Sequence, residues 1–359
     1  LVGVVEHSTL GTRWVYDGAH DPAYVRALVG HVLTPAAGHP TPGLTRFSVL
    51  RGEQSNTSIV CELDGADPVV VKLFRMLAPG GQPDVELPRA LATVGCTDVP
   101  ASRGRLHGEW TDESGAAVTG YLAAAQTFVP GVRDAWPVVL DAARAGTDFT
   151  AAAAELGRTT ARVHRDLARA LGIRPCTADD RDRMLASIRD RYAAAVAAAP
   201  ELAGHDDRLE AVLASLEAME WPALQRIHGD YHLGQVLVAG QRLLVIDFEG
   251  EPLRPLAERV RPDLAARDVA GMLRSFDYAA ATVGRERGIP DAVHAWRDAA
   301  RTAFLEGYHA IAGPTPLDDA LVPVLELDKA LYEVRYEAGQ RPDWLPVPLA
   351  AVHRLLDAP

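Results

Sequence analysis

The chain is poor in cysteine and has neither a long apolar run nor a dense basic run, and each absence excludes something. Cys61, Cys96 and Cys176 are few, odd in number and widely spaced. They match neither a zinc site nor a disulfide framework and read as core thiols of a reducing compartment. No apolar stretch approaches the roughly 20 residues of a membrane span. Residues 1–20 lack the charged and then apolar segments of an export signal. These absences point to a cytoplasmic protein with no membrane partner. The net charge is −12 and no Lys/Arg run stands out, so the basic face of a nucleic-acid binder is missing. Neither Gly-x-x-x-x-Gly-Lys-Ser/Thr nor Gly-x-Gly-x-x-Gly is present. Acidity does not exclude a nucleotide that arrives with Mg²⁺. There is no internal repeat. The chain starts at Leu1 inside a strand-like run, and a segment preceding it is expected.

With 359 residues, 48% of them hydrophobic, the chain can bury a large core spread over two or three domains. Residues 1–16 alternate like strands. Asp21-Pro22 opens a short helix to about Val32, with Asp21 as its N-cap. Residues 34–43 are rich in Pro and Gly and form a linker. Strand-like runs follow at 44–51, 58–63 and 68–74, the last two joined by the turn Asp64-Gly65-Ala66-Asp67. A helix is expected at 84–94 and a strand at 119–129, ended by Pro130-Gly131. From there the pattern turns helical: 147–171, 180–198, 206–219, 266–284, 290–312 and 318–338. The fold class is therefore α+β, a small antiparallel-sheet lobe followed by a mostly helical lobe. We divide it as 1–43, an N-terminal segment that the family resemblance given below makes the remainder of a cap; 44–130, a small lobe; and 131–359, the helical lobe.

One hairpin interrupts the helices. Val236-Leu237-Val238 and Leu243 to Ile246 are short apolar runs joined by Ala239-Gly240-Gln241-Arg242. Such a hairpin brings Gln235 close to Asp247, with Asp230 on the loop leading in. Two carboxylates and an amide at one end of a hairpin suit a hard cation such as Mg²⁺; the alternative is an ordinary polar loop. In the small lobe, the polar turn from Arg51 to Ser58 offers hydroxyls and backbone N–H groups to a phosphate, or is simply a turn. Lys72 sits in Val69-Val70-Val71-Lys72-Leu73-Phe74, apolar enough to be buried. It needs a partner, Glu86 or alternatively Asp84, unless its stem lies along an edge strand. A strand Lys paired to a helix Glu grips phosphate in protein-kinase-like enzymes.

Taken in order, these residues resemble the aminoglycoside-phosphotransferase branch of the protein-kinase-like fold. Gly-Glu-Gln-Ser-Asn-Thr-Ser (52–58), Val-Lys-Leu-Phe-Arg (71–75), Pro-Asp-Val-Glu-Leu (83–87), His-Gly-Asp-Tyr-His-Leu-Gly-Gln-Val-Leu (228–237) and Ile-Asp-Phe-Glu-Gly-Glu-Pro (246–252) look like actinobacterial maltokinases and their glucosamine-kinase relatives. Residues 267–276 and 341–345 extend the likeness over nearly the whole chain. The resemblance implies a bilobal fold and an ATP- and Mg²⁺-dependent sugar kinase. Asp230 would be the base that takes the sugar hydroxyl's proton, and Gln235 and Asp247 would hold Mg²⁺, with Glu249 assisting. Many relatives have Asn where this chain has Gln235. Lys72, oriented by Glu86, would contact ATP phosphates, which Ser55, Asn56, Thr57 and Ser58 would cover. Gln126 to Val129, including Phe128, would form the hinge that meets adenine.

The acceptor would face Asp230. Lys329, Tyr332 and Tyr336 recur at helical spacing on one face, and Trp344 follows. They look like the maltose-binding positions of maltokinases; His232 would touch the acceptor or shape the loop. The alternative for the tyrosines is core packing. Residues 6–17 look more like the cap of the glucosamine-kinase group. The expected reaction is therefore phosphorylation of glucosamine at O6, with a carboxylate near its ammonium group. A maltokinase making maltose 1-phosphate is the alternative. An aminoglycoside phosphotransferase and a non-catalytic nucleotide-binding pseudokinase are more distant ones.

Overall fold

The computed structural model describes residues 3–7, 9, 11–33, 41–50, 56–217, 219–252, 254–288, 290–313 and 318–357. The expected linker and the phosphate-loop residue Ser55 lie partly or wholly outside that set. Gly3–His7 (β1) and Gly11–Val15 (β2) pair antiparallel. Pro22–Val32 (α1) starts as read: the Asp21 carboxylate accepts from the N–H groups of Ala23 and Tyr24, and Pro22 occupies a first-turn position whose N–H has no helical partner anyway.

Leu44–Val49 (β3), Asn56–Leu63 (β4), Ala66–Phe74 (β5), Pro83–Thr93 (α2), Ser102–Thr111 (β6) and Ala117–Thr127 (β7) follow. The strands form one antiparallel sheet in the order β3-β4-β5-β7-β6. The β4–β5 turn is tighter than expected, because Leu63 pairs with Ala66 and leaves only Asp64-Gly65 between them. Gly65 takes φ 65°, the left-handed conformation such a two-residue turn demands. β6 is a strand the sequence reading missed. It is a sheet edge with glycine, arginine and glutamate among its residues, so it lacks the apolar alternation that marks a half-buried strand.

The two-residue period sorts the side chains of β5 between two faces. Val69 and Val71, with Ile59, Cys61, Ala123 and Ala125, bury against Val25, Leu28, Val29 and Val32 of α1. Phe74 and Ala124 pack with Val85 of α2. The stretch 1–43 thus joins the sheet's core through α1. Cys61 is fully buried there, and burial pushes its thiol up to about 12. Cys96 and Cys176 are half-buried, and all three thiols are free.

Residues 1–92 and 99–131 make one compact unit; residues 93–98 and 132–359 make the other. The second unit contains Arg133–Asp134 (β8), Ala135–Ala145 (α3), Thr150–Leu171 (α4), Ile173–Arg174 (β9), Ala178–Ala198 (α5), Asp206–Glu217 (α6), Leu224–Gln225 (β10), Val236–Ala239 (β11), Arg242–Val245 (β12), Leu256–Arg259 (α7), Ala266–Arg287 (α8), Pro290–Ala312 (α9), Asp318–Gln340 (α10) and Pro346–Leu356 (α11). The six long helices stand where helical periodicity placed them. α3 and α11 were missed. Both carry proline in the first turn, which reads as a break but is tolerated there. The expected hairpin is β11–β12, extended by β8 into a three-stranded sheet. No helix among the described residues is long and apolar enough to cross a membrane.

α4 and α9 touch backbone to backbone. A Cβ at Gly157 would lie 2.0 Å from Phe304 O, and one at Gly307 would lie 2.0 Å from Ala154 O. Only hydrogen fits at either position. Gly157→Val or Gly307→Val should force the helices apart and cost about 2–3 kcal/mol of stability, read as a lowered urea midpoint. An unchanged midpoint would show that the two helices do not meet there.

Candidate active site

The loop from Arg226 to Gln235 runs between β10 and β11 and is held from one side by α8. Asp268, Gly271 and Ser275 recur at helical spacing on one face of that helix. The Asp268 carboxylate accepts from the backbone N–H of His228 at 2.8 Å and of Gly229 at 2.9 Å. It also meets His164 Nε2 at 2.9 Å. Gly271 lets Tyr231 O approach so closely that a Cβ would stand 2.6 Å from it. Ser275 Oγ accepts from Leu233 N at 3.1 Å. Asp268 is 1% exposed. Burial opposes its charge, but the His164 bond, the nearby imidazoles and the Gly229 N–H hold its carboxyl below the usual range. The His228 ring bonds Ile246 O at 2.8 Å and packs on Phe248, tying this loop to the segment after β12.

Asp230 follows that anchor. Its Oδ1 accepts from Lys329 Nζ at 2.9 Å, and the same ammonium reaches Glu251 Oε1 at 2.9 Å. Lys329, expected at the sugar, binds these two carboxylates through its ammonium. Burial works against the Lys329 charge, yet Asp230 and Glu251 outweigh it and hold the amine above the ordinary lysine range. Behind Lys329 the charges alternate around a ring. Glu251 meets Arg191 at 2.9 Å, Arg191 meets Asp328 at 3.3 Å, and Asp328 bonds Arg267. Arg267 meets Asp263 at 2.8 Å, Asp263 meets Arg254 at 3.4 Å, and Arg254 returns to Glu251 at 3.6 Å. Glu251 had no role in the sequence reading, although it stands next to last in the quoted stretch Ile-Asp-Phe-Glu-Gly-Glu-Pro.

The hairpin does what its length required. Gln235 Nε2 lies 3.1 Å from Asp247 Oδ2, and Ile246 N donates to Gln235 O at 3.0 Å. Carboxylate oxygens of Asp247 and Glu249 lie within 4.8 Å of each other. Asp247 is the one non-glycine residue with positive φ, 66°, among the described residues. Strain kept at a carboxylate is the kind of local cost functional sites retain.

A cavity of about 660 Å³ opens beside Asp230. Lys329, Tyr332, Tyr336, Trp344 and His232 all line it, so the structure brings every expected acceptor residue together. Tyr332 and Tyr336 stack with centroids 6.5 Å apart, and Trp344 stacks on Tyr278 at 6.4 Å. Both tyrosines line the cavity rather than filling the core, with the Lys329 ammonium 4.7 Å from the Tyr332 ring centroid. His232 Nδ1 accepts from Gly234 N at 3.0 Å, and burial holds the ring below its ordinary pKa. Glu333 and Glu337 also line the cavity and were not singled out from the sequence. Their signal was the repeat Tyr-Glu-x-x-Tyr-Glu over 332–337, which places each carboxylate next to an aromatic ring. Glu333 Oε2 takes Arg274 at 2.6 Å and 3.0 Å, while Oε1 has no hydrogen bond among the described residues. Glu337 meets Tyr278 at 3.0 Å and Arg341.

In the sheet unit, Lys72 Nζ donates to Asp84 Oδ2 at 3.0 Å, with Asp84 buried on α2. Asp84, the alternative partner, thus meets Lys72, and the carboxylate of Glu86 on the same helix lies over Gly81. Pairing register sets Ser58 opposite Lys72 and Asn56 opposite Phe74, on the face toward α2. Thr57 pairs with Leu73 on the other face, and its hydroxyl takes Arg75 at 2.8 Å. So Asn56, Thr57 and Ser58 are strand residues rather than loop, and Thr57 is turned away from Lys72. Gln126 lies in β7, and Phe128 N donates to Pro68 O just past its end, followed by Val129.

Asp268→Asn removes the charge paired with His164 and sets an amide N–H₂ where both carboxylate oxygens now accept. A loss of about 3–5 kcal/mol is expected from urea unfolding near neutral pH. Because the folded pKa is depressed, the wild-type advantage is full above about pH 5 and shrinks as pH falls below about 4. A gap between wild type and variant that ignores pH would show that the charge does not matter.

Comparison with known proteins agrees with this geometry. The chain is 33% identical over 360 residues to a glucosamine kinase of Streptacidiphilus jiangxiensis, covering 92% of this chain and 80% of the relative. It is 31% identical over 323 residues to a glucosamine kinase of Mycolicibacterium smegmatis (strain ATCC 700084 / mc(2)155), covering 85% and 78%. A solved glucosamine kinase in complex with glucosamine, ADP and inorganic phosphate superposes with a TM-score of 0.70 at 31% identity, covering 87% of this chain and 81% of that one. The α+β fold is the protein-kinase-like one, and the enzyme is a phosphotransferase acting on an alcohol group. With residues 46–316 matching it, the chain belongs to the phosphotransferase enzyme family.

Proposed function

We propose that the protein phosphorylates glucosamine at O6 with ATP. The observation that carries this reading is the cavity beside Asp230, where aromatic faces and carboxylates converge. A sugar ring has apolar faces for Tyr332, Tyr336 and Trp344. An ammonium group needs an anionic acceptor, and Glu333 Oε1 is turned to no other partner among the described residues. The similarity to two curated glucosamine kinases supports the same acceptor; maltose, which has no ammonium group, offers Glu333 Oε1 no cation.

In this reading Asp230 accepts the proton of the attacking hydroxyl, and Lys329 fixes the orientation of its carboxylate. Phosphoryl transfer needs positioning and charge neutralisation more than covalent chemistry. Lys72, steadied by Asp84, and Asn56 and Ser58 on its face serve the nucleotide phosphates, and Glu86 and residues 126–129 complete the nucleotide side. Asp247, Glu249 and the amide oxygen of Gln235 are a set of hard oxygen donors that fits Mg²⁺. Bound there, the ion would neutralise phosphate charge. Use of ATP and the reduced thiols favour action in the cytoplasm.

An ADP-release assay with glucosamine, maltose, glucose and kanamycin should rank glucosamine first. No turnover with any sugar would sink the reading, and maltose leading would replace glucosamine. Chelation with EDTA should stop turnover and added Mg²⁺ restore it. Asp230→Asn should lower kcat by roughly 10²–10⁴ with ATP still bound; near-native activity would reassign the base.

A further inference from the structure

A second cavity, of about 760 Å³, lies in the helical unit between α8, α9 and α11. Each helix contributes a guanidinium: Arg285 from α8, Arg297 from α9 and Arg354 from α11, joined by His294. Buried Arg274 forms part of its wall. Two carboxylates, Asp277 and Asp343, face these four arginines. Asp277 is already surrounded: Arg274 lies at 2.7 Å, Arg354 at 3.0 Å, Arg301 at 3.3 Å and Arg297 at 3.6 Å. One carboxylate cannot occupy the donors of that many guanidiniums, each of which has five N–H groups. Arg354 makes one hydrogen bond, Arg285 spends one on Asp343 O, and Arg297 gives its Nε and one terminal nitrogen to the neighbouring Asp298, so each keeps N–H groups to spare. The floor is small and apolar, with Ala280 of α8 and Ala351 of α11.

We propose that this cavity is a binding site for a phosphomonoester of a small metabolite. Spare guanidinium donors from three helices converge as phosphate oxygens require, and the volume and apolar floor leave room for the rest of the molecule. The site is coupled to the acceptor cavity through two shared elements. Arg274 lines the second cavity while bonding Glu333 of the acceptor cavity. Arg285 stacks 5.0 Å from the ring of Trp344. An anion that draws on either guanidinium weakens its hold on the acceptor wall. The coupling rests on the acceptor reading above; the binding site does not.

Calorimetric titration of inorganic phosphate and of glucosamine 6-phosphate tests the site. It is done with the catalytic site filled by adenylyl imidodiphosphate, Mg²⁺ and glucosamine. The wild type should bind one phosphomonoester per chain. Arg297→Ala/Arg354→Ala should bind it roughly ten- to a hundredfold more weakly, with turnover in the absence of the ligand unchanged. The milder Arg354→Gln, at a half-exposed position, should weaken binding in the same direction and covers the case in which the double variant fails to fold. Neither arginine lines the acceptor cavity, so a loss of binding in these variants reports on the second cavity whether or not glucosamine is the acceptor. No saturable binding, binding equal in wild type and variants, or sulfate binding as tightly as the phosphomonoester would overturn the proposal. Added phosphomonoester should raise the sugar KM and leave kcat in place in the wild type but not in the variants; a KM that does not respond overturns the coupling.

Discussion

The buried carboxylate of Asp268 is the constraint on which the rest of the site depends. The loop that carries Asp230 has backbone N–H groups that must be satisfied away from water. Asp268 takes two of them, from His228 and Gly229, and hydrogen-bonds the His164 ring. With those donors fixed, Gly271 and Ser275 of the same helix seat Tyr231 and Leu233. The position of Asp230 follows from its neighbours' backbone bonds rather than from its own side chain.

A second constraint acts from α5, α8 and α10. Three carboxylates and three guanidiniums alternate around Glu251, Arg191, Asp328, Arg267, Asp263 and Arg254, so the ring is near neutral and Lys329 is its outlying cation. Buried ion pairs of this kind add little net stability over apolar packing, because desolvation offsets attraction. What they supply is orientation: removing one member strands the others. Lys329 is thereby delivered to Asp230 with its geometry set by residues far apart in the chain.

Much of this was legible in the residues. The hairpin length put Gln235 beside Asp247, helical spacing put Lys329, Tyr332 and Tyr336 on one face, and the Asp21-Pro22 pair capped α1. The misses have physical reasons. β6 is a polar edge without alternation, and α3 and α11 hide behind first-turn prolines. Asp84 of α2 meets Lys72 because the packed orientation of the helix turns its carboxylate toward the strand, which spacing alone does not specify. Thr57 looked like part of a phosphate loop, but strand register turns it to the opposite face from Lys72.

The sequence by itself determined which local elements form and which residue types stand at which spacing, since turns, caps and periodicities depend on near neighbours. It also determined the kinase family, because Asp230, Gln235, Asp247 and the strand Lys72 sit in short recognisable stretches. Only the tertiary structure decided how those stretches are held. The Asp268 anchor spans 40 residues to His228, and Lys329 reaches Asp230 across 99. Glu333, Arg274 and the arginines of α8, α9 and α11 meet at cavity walls that no local pattern specifies. Long-range electrostatics depends on packing geometry, and packing exists only once the helices have closed on one another.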